Sequence, residues 1–340
     1  MTEMPNSSEP ARGATWNGLS SVAGPLLALV VVIVFFGVAV WLKTERNLFF
    51  QPRTAQTVAV QASTVAVAAL GMTVIIIAGG IDLSAGTALA LASTVLAVRL
   101  KAGAPVAEAL AEGLLSGAAM GLLNGALIST VRVVPFIVTL GTMSVFLGMS
   151  KIISGSTTVR PLPDQVPDWM QTLLRPQPEA AWMLVAPGVW GLLAMALLLA
   201  GVLRYTVFGR YVFALGSNES TARLCGINVP VVKTAVYVLA GLFVGVAGIY
   251  QFSLLQAGEP TSGTGMELKI ITAVVIGGGS LSGGRGSVLG TLAGALMTEV
   301  ISTGCTLLGL GNPIQNIVIG IILVAAAILD QWRQGKLSGA

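Results

Sequence analysis

The 340-residue sequence contains no histidine and only two cysteines, Cys225 and Cys305. Histidine is the commonest metal ligand and the usual general base near neutral pH, so most metal sites and acid–base active sites lack their main residue here. The two cysteines lie far apart and have no neighbour at metal-binding or redox spacing. We therefore expect no metal, no other cofactor and no catalytic residue.

Charged residues are also scarce. They make up 9% of the chain against 54% hydrophobic residues, and the mean hydropathy is +0.87. A soluble domain carries about 25% charged residues. The net charge of +4 is spread too thinly along the chain to indicate nucleic-acid binding. This composition predicts a polytopic membrane protein.

The apolar residues fall into runs of membrane length, and a transmembrane helix needs about 20 of them. Five runs are clear, at 22–42, 57–80, 181–203, 234–254 and 312–330. Five more are shorter or interrupted by Gly and Pro, at 83–98, 113–131, 133–150, 268–284 and 288–308. We predict an all-α membrane helical bundle of about ten transmembrane helices, broken near the glycine-rich motifs. Lys and Arg are balanced between the two sides, so the positive-inside rule does not set the orientation.

Glycines recur at four-residue spacing in three of these runs, which places them on one helix face and allows close packing in lipid. They are Gly117, Gly121 and Gly125, then Gly241 and Gly245, then Gly290 and Gly294. This pattern predicts a tightly packed bundle.

The segment GGIDLSAG, residues 79–86, places Gly79 and Gly80 before Asp82 and Ser84. Paired glycines followed by a carboxylate indicate a helix break at membrane depth. An ionisable group in that position is a functional-site candidate. Asp82 is also a good residue for capping the next helix. Both roles stay open, and for Glu299 a buried structural role and a pathway role stay open in the same way.

A second glycine-rich segment, GGGSLSGGRG at 277–286, is typical of a phosphate-binding loop at first sight. The chain has no G-x-x-x-x-G-K-[ST] motif, however, and no room for a soluble nucleotide-binding domain. We interpret Gly283 and Gly284 as a second helix break. Asn124 and Thr139 are polar groups inside apolar runs. They are candidates either for helix–helix hydrogen bonds or for contacts to a polar solute.

Two polar segments interrupt the apolar runs. Residues 151–180 contain five prolines and one short helix near Asp168–Leu174. Residues 204–233 form a cation-bearing island, in which Asn218 and Gly226 bound barely two turns of helix. Such a helix is too short to be stable alone, so it is either part of a solvated loop or a docking surface.

Four motifs together resemble the ribose/xylose/arabinose-type permease family, the membrane subunits of bacterial ATP-binding cassette importers. The motifs are GGIDLSAG (79–86), VPFIVTLGTM (134–143), GRYVFALGSNESTARLCGI (209–227) and VVIGGGSLSGGRGSVLGTLAGAL (274–296). The resemblance covers about residues 20–332. Cys225 departs from it, because the family usually has Ser at this position.

The resemblance implies a partner set: a cytoplasmic ATPase subunit, a periplasmic sugar-binding protein and a second permease copy, identical or related. It also implies a cytoplasmic N-terminal tail (1–21), a transmembrane permease domain (22–332) with a periplasmic loop (151–180), and a cytoplasmic C-terminal tail (333–340). The loop 204–233 would dock the ATPase. Its docking residues would be Gly209, Arg210, Gly216, Asn218, Ala222, Arg223, Leu224, Gly226 and Ile227.

The function we expect is the permease subunit of a monosaccharide importer in the bacterial inner membrane, with a substrate route lined by Asp82, Ser84, Asn124 and Thr139. ATP hydrolysis would belong to the partner chain. Two alternatives remain. One is a related permease for nucleosides, branched-chain amino acids or a signalling sugar. The other is an ion-coupled secondary transporter, for which Asp82 and Glu299 supply few intramembrane acids.

Overall fold

The computed structural model describes residues 16–178 and 183–338. Within these ranges the regular structure is almost entirely α-helical, with one π-helical turn, one 3-10 turn and one isolated β-bridge between residues 159 and 258. The helices are α1 (Trp16–Thr44), α2 (Pro52–Ile77), α3 (Ala85–Lys101), α4 (Val106–Ala126), α5 (Pro135–Ser154), α6 (Asp168–Thr172), α7 (Pro187–Tyr205), α8 (Val207–Ser217), α9 (Glu219–Leu224), α10 (Val229–Leu255), α11 (Met266–Ile276), α12 (Val288–Leu307) and α13 (Asn312–Ser338).

Each of the ten predicted apolar runs coincides with one of these helices, which confirms the helical membrane bundle. Among the described residues, seven helices are long and apolar enough to cross a membrane: α1, α2, α4, α5, α7, α10 and α12. The apolar part of α13 is shorter. Helix α3 has 17 residues and α11 has 11. At 1.5 Å per residue they span about 26 and 16 Å, less than a hydrocarbon core of about 30 Å.

Each of the two short helices adjoins one of the glycine-rich breaks that the sequence predicts, since α3 follows the first break and α11 precedes the second. Helix α2 ends at Ile77, just before Gly79 and Gly80, and α11 ends at Ile276, at the start of the segment 277–286. The structure thus confirms the broken helices near the glycine-rich motifs.

Helix α2 is the centre of the bundle. Every residue from Ala62 to Ile77 is buried, and α7, α10, α11 and α12 pack around it. The outer helices differ, since α1, α5 and α7 expose large apolar side chains such as Phe35, Ile152 and Leu197. Exposed apolar surface of this extent belongs against lipid or another membrane helix.

Glycine faces bring helix backbones into contact, as predicted. Gly117, Gly121 and Gly125 of α4 lie directly against α10, and a methyl group on Gly117 or Gly241 would overlap a carbonyl oxygen of the other helix. In α12, Gly290 and Gly294 lie equally close to Gly277, just after α11, and to Ala273 within it. Small residues permit this approach because no side chain separates the two backbones.

The two polar segments lie at opposite ends of α10, a helix about 40 Å long. At one end, Glu219 of α9 pairs with Lys233 in the first turns of α10. At the other end, Ser253 donates a hydrogen bond to the carbonyl of Met170 in α6. We call these the α9 end and the α6 end. The short helix predicted near 168–174 is confirmed as α6.

Three features differ from the expected boundaries. The island 204–233 holds two helices, because α8 precedes the expected short helix and buries Val212 and Leu215 against the bundle. Helix α1 begins at Trp16 and α13 ends at Ser338, so both extend beyond the predicted domain 22–332. The remainder of the predicted tails, residues 1–15 and 339–340, lies outside the described residues.

The α4–α10 contact makes a direct prediction. Gly241→Ala places a methyl group against the Gly117 carbonyl, and the two helices must separate to accept it. We expect a loss of about 1–3 kcal/mol in unfolding free energy. Gly201→Ala in α7 is the matched control, because a methyl group there meets no atom within 4 Å. Thermal unfolding of both variants in detergent measures the difference, and equal stability would contradict the close packing.

Candidate functional site

The break between α2 and α3 carries the first candidate site. Gly79 adopts the left-handed conformation with φ of 81°, which turns the chain out of α2. Asp82 follows as a buried carboxylate, and its Oδ1 accepts hydrogen bonds from the Ser84 backbone N–H (2.8 Å) and hydroxyl (2.6 Å). Ser84 is the N-cap residue of α3. Asp82 therefore holds the turn that leads into α3, but it is not the N-cap residue itself, because the helix begins two residues later than expected.

The four predicted pathway residues come together at this break. Asn124 of α4 donates to the Ser84 hydroxyl at 2.8 Å, and Thr139 of α5 lies 3.5 Å from the Ile81 carbonyl. None of the four is more than 7% exposed, so within one chain they face one another. The Oδ1 atom of Asn124 is buried and has no hydrogen-bond partner among the described residues. Their role in lining a route stays a prediction.

Tyr237 of α10 also belongs to this network, and the sequence analysis does not include it. Its hydroxyl donates to the Ile81 carbonyl at 3.3 Å. The available signal was a tyrosine in a long apolar helix, one of two in α10, and it does not indicate which segment the side chain faces. The break is thus tied to α4, α5 and α10.

Glu299 of α12 has a cationic partner in the neighbouring helix α11. The Nζ atom of Lys269 lies 3.5 Å from the buried carboxylate of Glu299. The pair joins the half-length helix α11 to α12. Within the described chain this supports the structural reading of Glu299.

The second candidate site is α9, at the end of the bundle named after it. The Asn218 side chain accepts the Thr221 backbone N–H at 2.9 Å, which confirms the predicted N-cap. Gly226 ends the segment with φ of 83°. Ala222 is buried against the chain's own bundle, whereas Leu224 is 89% exposed. Of the predicted apolar docking residues, Leu224 is therefore the one that another protein can reach most fully.

Charge on α9 is organised around Glu219. Its carboxylate pairs with Lys233 at 2.7 Å and with Arg223 at 3.1 Å. The hydrogen bond from Lys233, followed by the charges of both cations, holds the pKa of Glu219 below its usual value. Arg210 on α8 is exposed, and Ile227 is half-buried beside the α9 terminus. The exposed face of this end is consequently cationic and apolar.

A cavity of about 400 Å³ lies beneath α9. It combines apolar walls such as Ile128, Pro135 and Ile227 with Arg132, Arg223, Lys233 and Glu219. A smaller space of about 20 Å³ shares Ile128, Pro135 and Lys233 with it and borders Gly79 and Gly80. The surface around α9 therefore reaches back to the first helix break.

Four predicted residues remain, and all are sites of close backbone contact within the chain: Gly209 and Gly216 from the expected docking set, and Gly283 and Gly284 from the second break. The contacts of Gly209 and Gly216 are thus internal, and we do not count either residue as part of the exposed docking face. A methyl group on Gly209 would overlap the Leu203 carbonyl, which keeps α8 folded against the end of α7. Gly283 and Gly284 both have positive φ, 87° and 73°, and both approach Gly216 or its neighbour Ser217. The second break thus lies against the last turn of α8.

Comparison with known proteins agrees with this architecture. A family model described as branched-chain amino acid transport system / permease component matches residues 54–327. The ribose import permease protein of Escherichia coli (strain K12) is 36% identical over 328 residues, covering 91% of this chain and 93% of that protein. The chain belongs to this permease family. It is a multi-pass membrane transport component and not a catalyst.

Two further relatives cover the permease almost end to end. The fructose import permease protein of Rhizobium meliloti is 33% identical and covers 92% of this chain and 86% of its own. The L-arabinose ABC transporter permease protein of Azospirillum brasilense is 31% identical, with coverages of 96% and 92%. No solved structure matches the permease significantly.

Asp82 allows a specific stability prediction. Asp82→Ala leaves the buried Ser84 N–H and hydroxyl without their acceptor, and we expect a loss of about 1–3 kcal/mol in unfolding free energy. Asp82→Asn retains an oxygen acceptor and should lose less. The exposed Asp164 provides the control variant Asp164→Ala. Thermal unfolding in detergent measures all three, and wild-type stability of Asp82→Ala would refute the role of Asp82 in holding this turn.

The same variants separate the role at the turn from a role on the solute route. Asp82→Asn keeps the turn and removes the charge. Loss of uptake in a stably folded Asp82→Asn permease would therefore show a role beyond holding the turn. Full uptake in both variants, at normal expression, removes Asp82 from the transport mechanism.

Proposed function

We propose that this chain is the permease subunit of an ATP-binding cassette importer for a monosaccharide. The observation that carries the proposal is end-to-end similarity to permeases named for ribose, fructose and L-arabinose. A monosaccharide presents several hydroxyl groups, and a route for it needs hydroxyl and amide partners in the protein. Ser84, Asn124 and Thr139 supply such groups next to the carboxylate of Asp82.

Helix α9 is the proposed contact for a cytoplasmic ATPase subunit. It projects Leu224 and Arg223 away from the bundle, while the Asn218 cap and buried Ala222 hold the helix in place. A fixed helix with an outward apolar residue beside cations fits a groove that has an apolar floor and an acidic rim. Closure of the ATPase on ATP would then displace α9 as a rigid unit.

Placing α9 in the cytoplasm determines the orientation of the rest. Helix α2 ends and α12 begins at the α9 end, because Gly79 and Gly284 both lie beside α8. Helices α1 and α13 therefore have their outer termini at the same end, and both chain termini are cytoplasmic. The segment 151–180 lies at the α6 end, on the periplasmic side of the bacterial inner membrane, where a sugar-binding protein would deliver the substrate.

At the α6 end, hydrogen bonds fix the backbone where a sugar-binding protein would make contact. Val159 and Gly258 exchange two backbone hydrogen bonds at 2.9 and 2.8 Å, and Thr158 donates to the Glu259 carboxylate. This hydrogen bond, with a second from Thr261, holds the pKa of Glu259 below its usual value. Thr158 and Val159 are therefore fixed to the α10–α11 connection.

Transport in this proposal is a two-state change. The ATPase binds α9 differently with and without ATP, and that difference in binding free energy shifts the bundle between inward and outward access. A second permease copy, identical or related, completes the pathway, and the exposed faces of α1, α5 and α7 are available for it. The chain itself makes and breaks no covalent bond.

The docking role predicts the effect of one substitution. Leu224→Glu places a charge on the exposed apolar residue of α9 without removing a contact inside the chain. We expect the ATPase subunit to be lost when the tagged permease is purified gently from native membranes. Leu184→Glu, on an exposed leucine beyond α6, is the matched control and should retain the ATPase.

Arg223→Glu combined with Leu224→Glu extends this test, because it reverses the cation beside Leu224 as well. Retention of a stoichiometric ATPase by the double variant would rule out α9 as the docking helix. A wild-type permease that purifies without any ATPase would instead contradict the importer assignment.

The energy source and substrate class are tested by uptake in cells. A strain lacking the chain should lose uptake of at least one of labelled ribose, fructose and L-arabinose, and re-expression should restore it. ATP depletion should abolish that uptake, and a protonophore at maintained ATP should not. The reverse response would favour an ion-coupled transporter. Loss of leucine uptake alone would favour the branched-chain amino acid substrate in the family description.

A further inference from the structure

Three chain segments meet at one point of the α9 end through their backbones. They are the α2–α3 break at Gly79, the last turn of α8 at Gly216, and the α11–α12 break at Gly283–Gly284. A methyl group on Gly216 would overlap the Ile77 carbonyl and would lie 2.6 Å from the Gly284 nitrogen. We call this contact the glycine junction.

The junction is joined by a hydrogen bond as well as by proximity. The Gly284 N–H donates to the Ile77 carbonyl at 2.8 Å, and this links the two helix breaks directly. A methyl group on Gly283 would lie 2.6 Å from the Gly216 carbonyl oxygen and 3.0 Å from the Gly79 Cα. No side chain lies between the three backbones at these contacts, so none of them can move far without displacing the others.

The junction is also close to α9 along the chain. Gly216 is in the last turn of α8, and Asn218 is the single residue between α8 and α9. Asn218 caps α9 through its side chain, while its backbone N–H bonds to the Ala214 carbonyl. Both helices are thereby fixed to the same residue. A displacement of α9 therefore reaches Gly216 without a flexible linker to absorb it.

On its inner side the junction continues into the buried polar network. Two residues after Gly79, the Ile81 carbonyl accepts the Tyr237 hydroxyl. Asp82 and Ser84 follow, and Ser84 accepts the hydrogen bond from Asn124 of α4. Movement of the α2–α3 break thus acts on α4 and α10 as well as on the start of α3.

We propose that Gly216 is a positioning residue for transport, through which displacement of α9 is transmitted to both helix breaks. The inference rests on the proposed function, since it takes the ATPase to be the source of the displacement. In this proposal the lack of a side chain at Gly216 serves energy coupling, whereas Leu224 serves the docking of the ATPase.

The experiment compares Gly216→Ala with Gly294→Ala in the purified complex with its ATPase. Gly294 is the matched control, because a methyl group there overlaps the Ala273 carbonyl in a helix–helix contact away from α8. Gly216→Ala should retain the bound ATPase and its hydrolysis, while ATP-driven uptake falls about tenfold or more. Gly294→Ala, at similar stability, should either retain both ATP hydrolysis and uptake or lose the two to the same degree.

Normal coupling in Gly216→Ala would overturn the proposal, and so would an equal uncoupling in both variants. Loss of the ATPase from Gly216→Ala also overturns it, because the residue would then serve docking. Failure of the wild-type complex to show ATP-driven uptake is a failure of the proposed function, and it is seen before any variant is made.

A measurement on the wild-type complex keeps the proposal testable if Gly216→Ala does not fold. Backbone hydrogen–deuterium exchange is followed in peptides covering 77–86 and 279–286, with and without a non-hydrolysable ATP analogue. Exchange should change in both segments together when the ATPase closes. A change confined to the α9 peptide, with both breaks unaffected, would refute transmission through the junction.

Discussion

A peptide group that leaves a helix inside a membrane needs a partner within the protein, because lipid offers none. The break after α2 meets this requirement mainly through segments that are distant in the sequence. The Ile77 carbonyl accepts the Gly284 N–H, the Ile81 carbonyl accepts the Tyr237 hydroxyl, and the Ser84 N–H bonds to Asp82. The course of the chain between α2 and α3 therefore depends on α10 and on the α11–α12 break. A buried carboxylate at this position follows from the same requirement.

The α9 helix depends on packing more than on its ion pairs. Exposed ion pairs contribute about 0–1 kcal/mol each, and six residues do not form a stable helix alone. What holds α9 is the Asn218 cap, the burial of Ala222 and the hydrogen bond from the Ile227 N–H to the Ala222 carbonyl. The charges of Glu219, Arg223 and Lys233 instead determine the electrostatic character of the surface. Because the rest of the chain already holds α9 in place, presenting the exposed Leu224 to a partner costs little conformational entropy.

Much of the fold could be predicted, because membrane helices leave strong local signals. Run length located the ten apolar helices, and glycine spacing predicted close helix packing, although not that α4 meets α10. The sequence analysis missed helix α8. Its buried apolar face relies on Val212 and Leu215, and Arg210 and Gly216 obscure this pattern in the sequence. The pairing of Lys269 with Glu299 and of Tyr237 with Ile81 joins residues 30 and 156 positions apart. One sequence contains no signal for such distances.

The two helix breaks share the pattern of GGIDLS and GGGSLS, and both lie beside Gly216. A glycine pair can turn the chain with positive φ and can also let another backbone approach. Side chains change rotamer readily, so a contact made through them would absorb part of a displacement. Contacts between backbones lack that freedom, and the buried core around α2 limits movement on the other side. A displacement of α9 therefore acts most directly on the two breaks, because the chain is not continuous helix there.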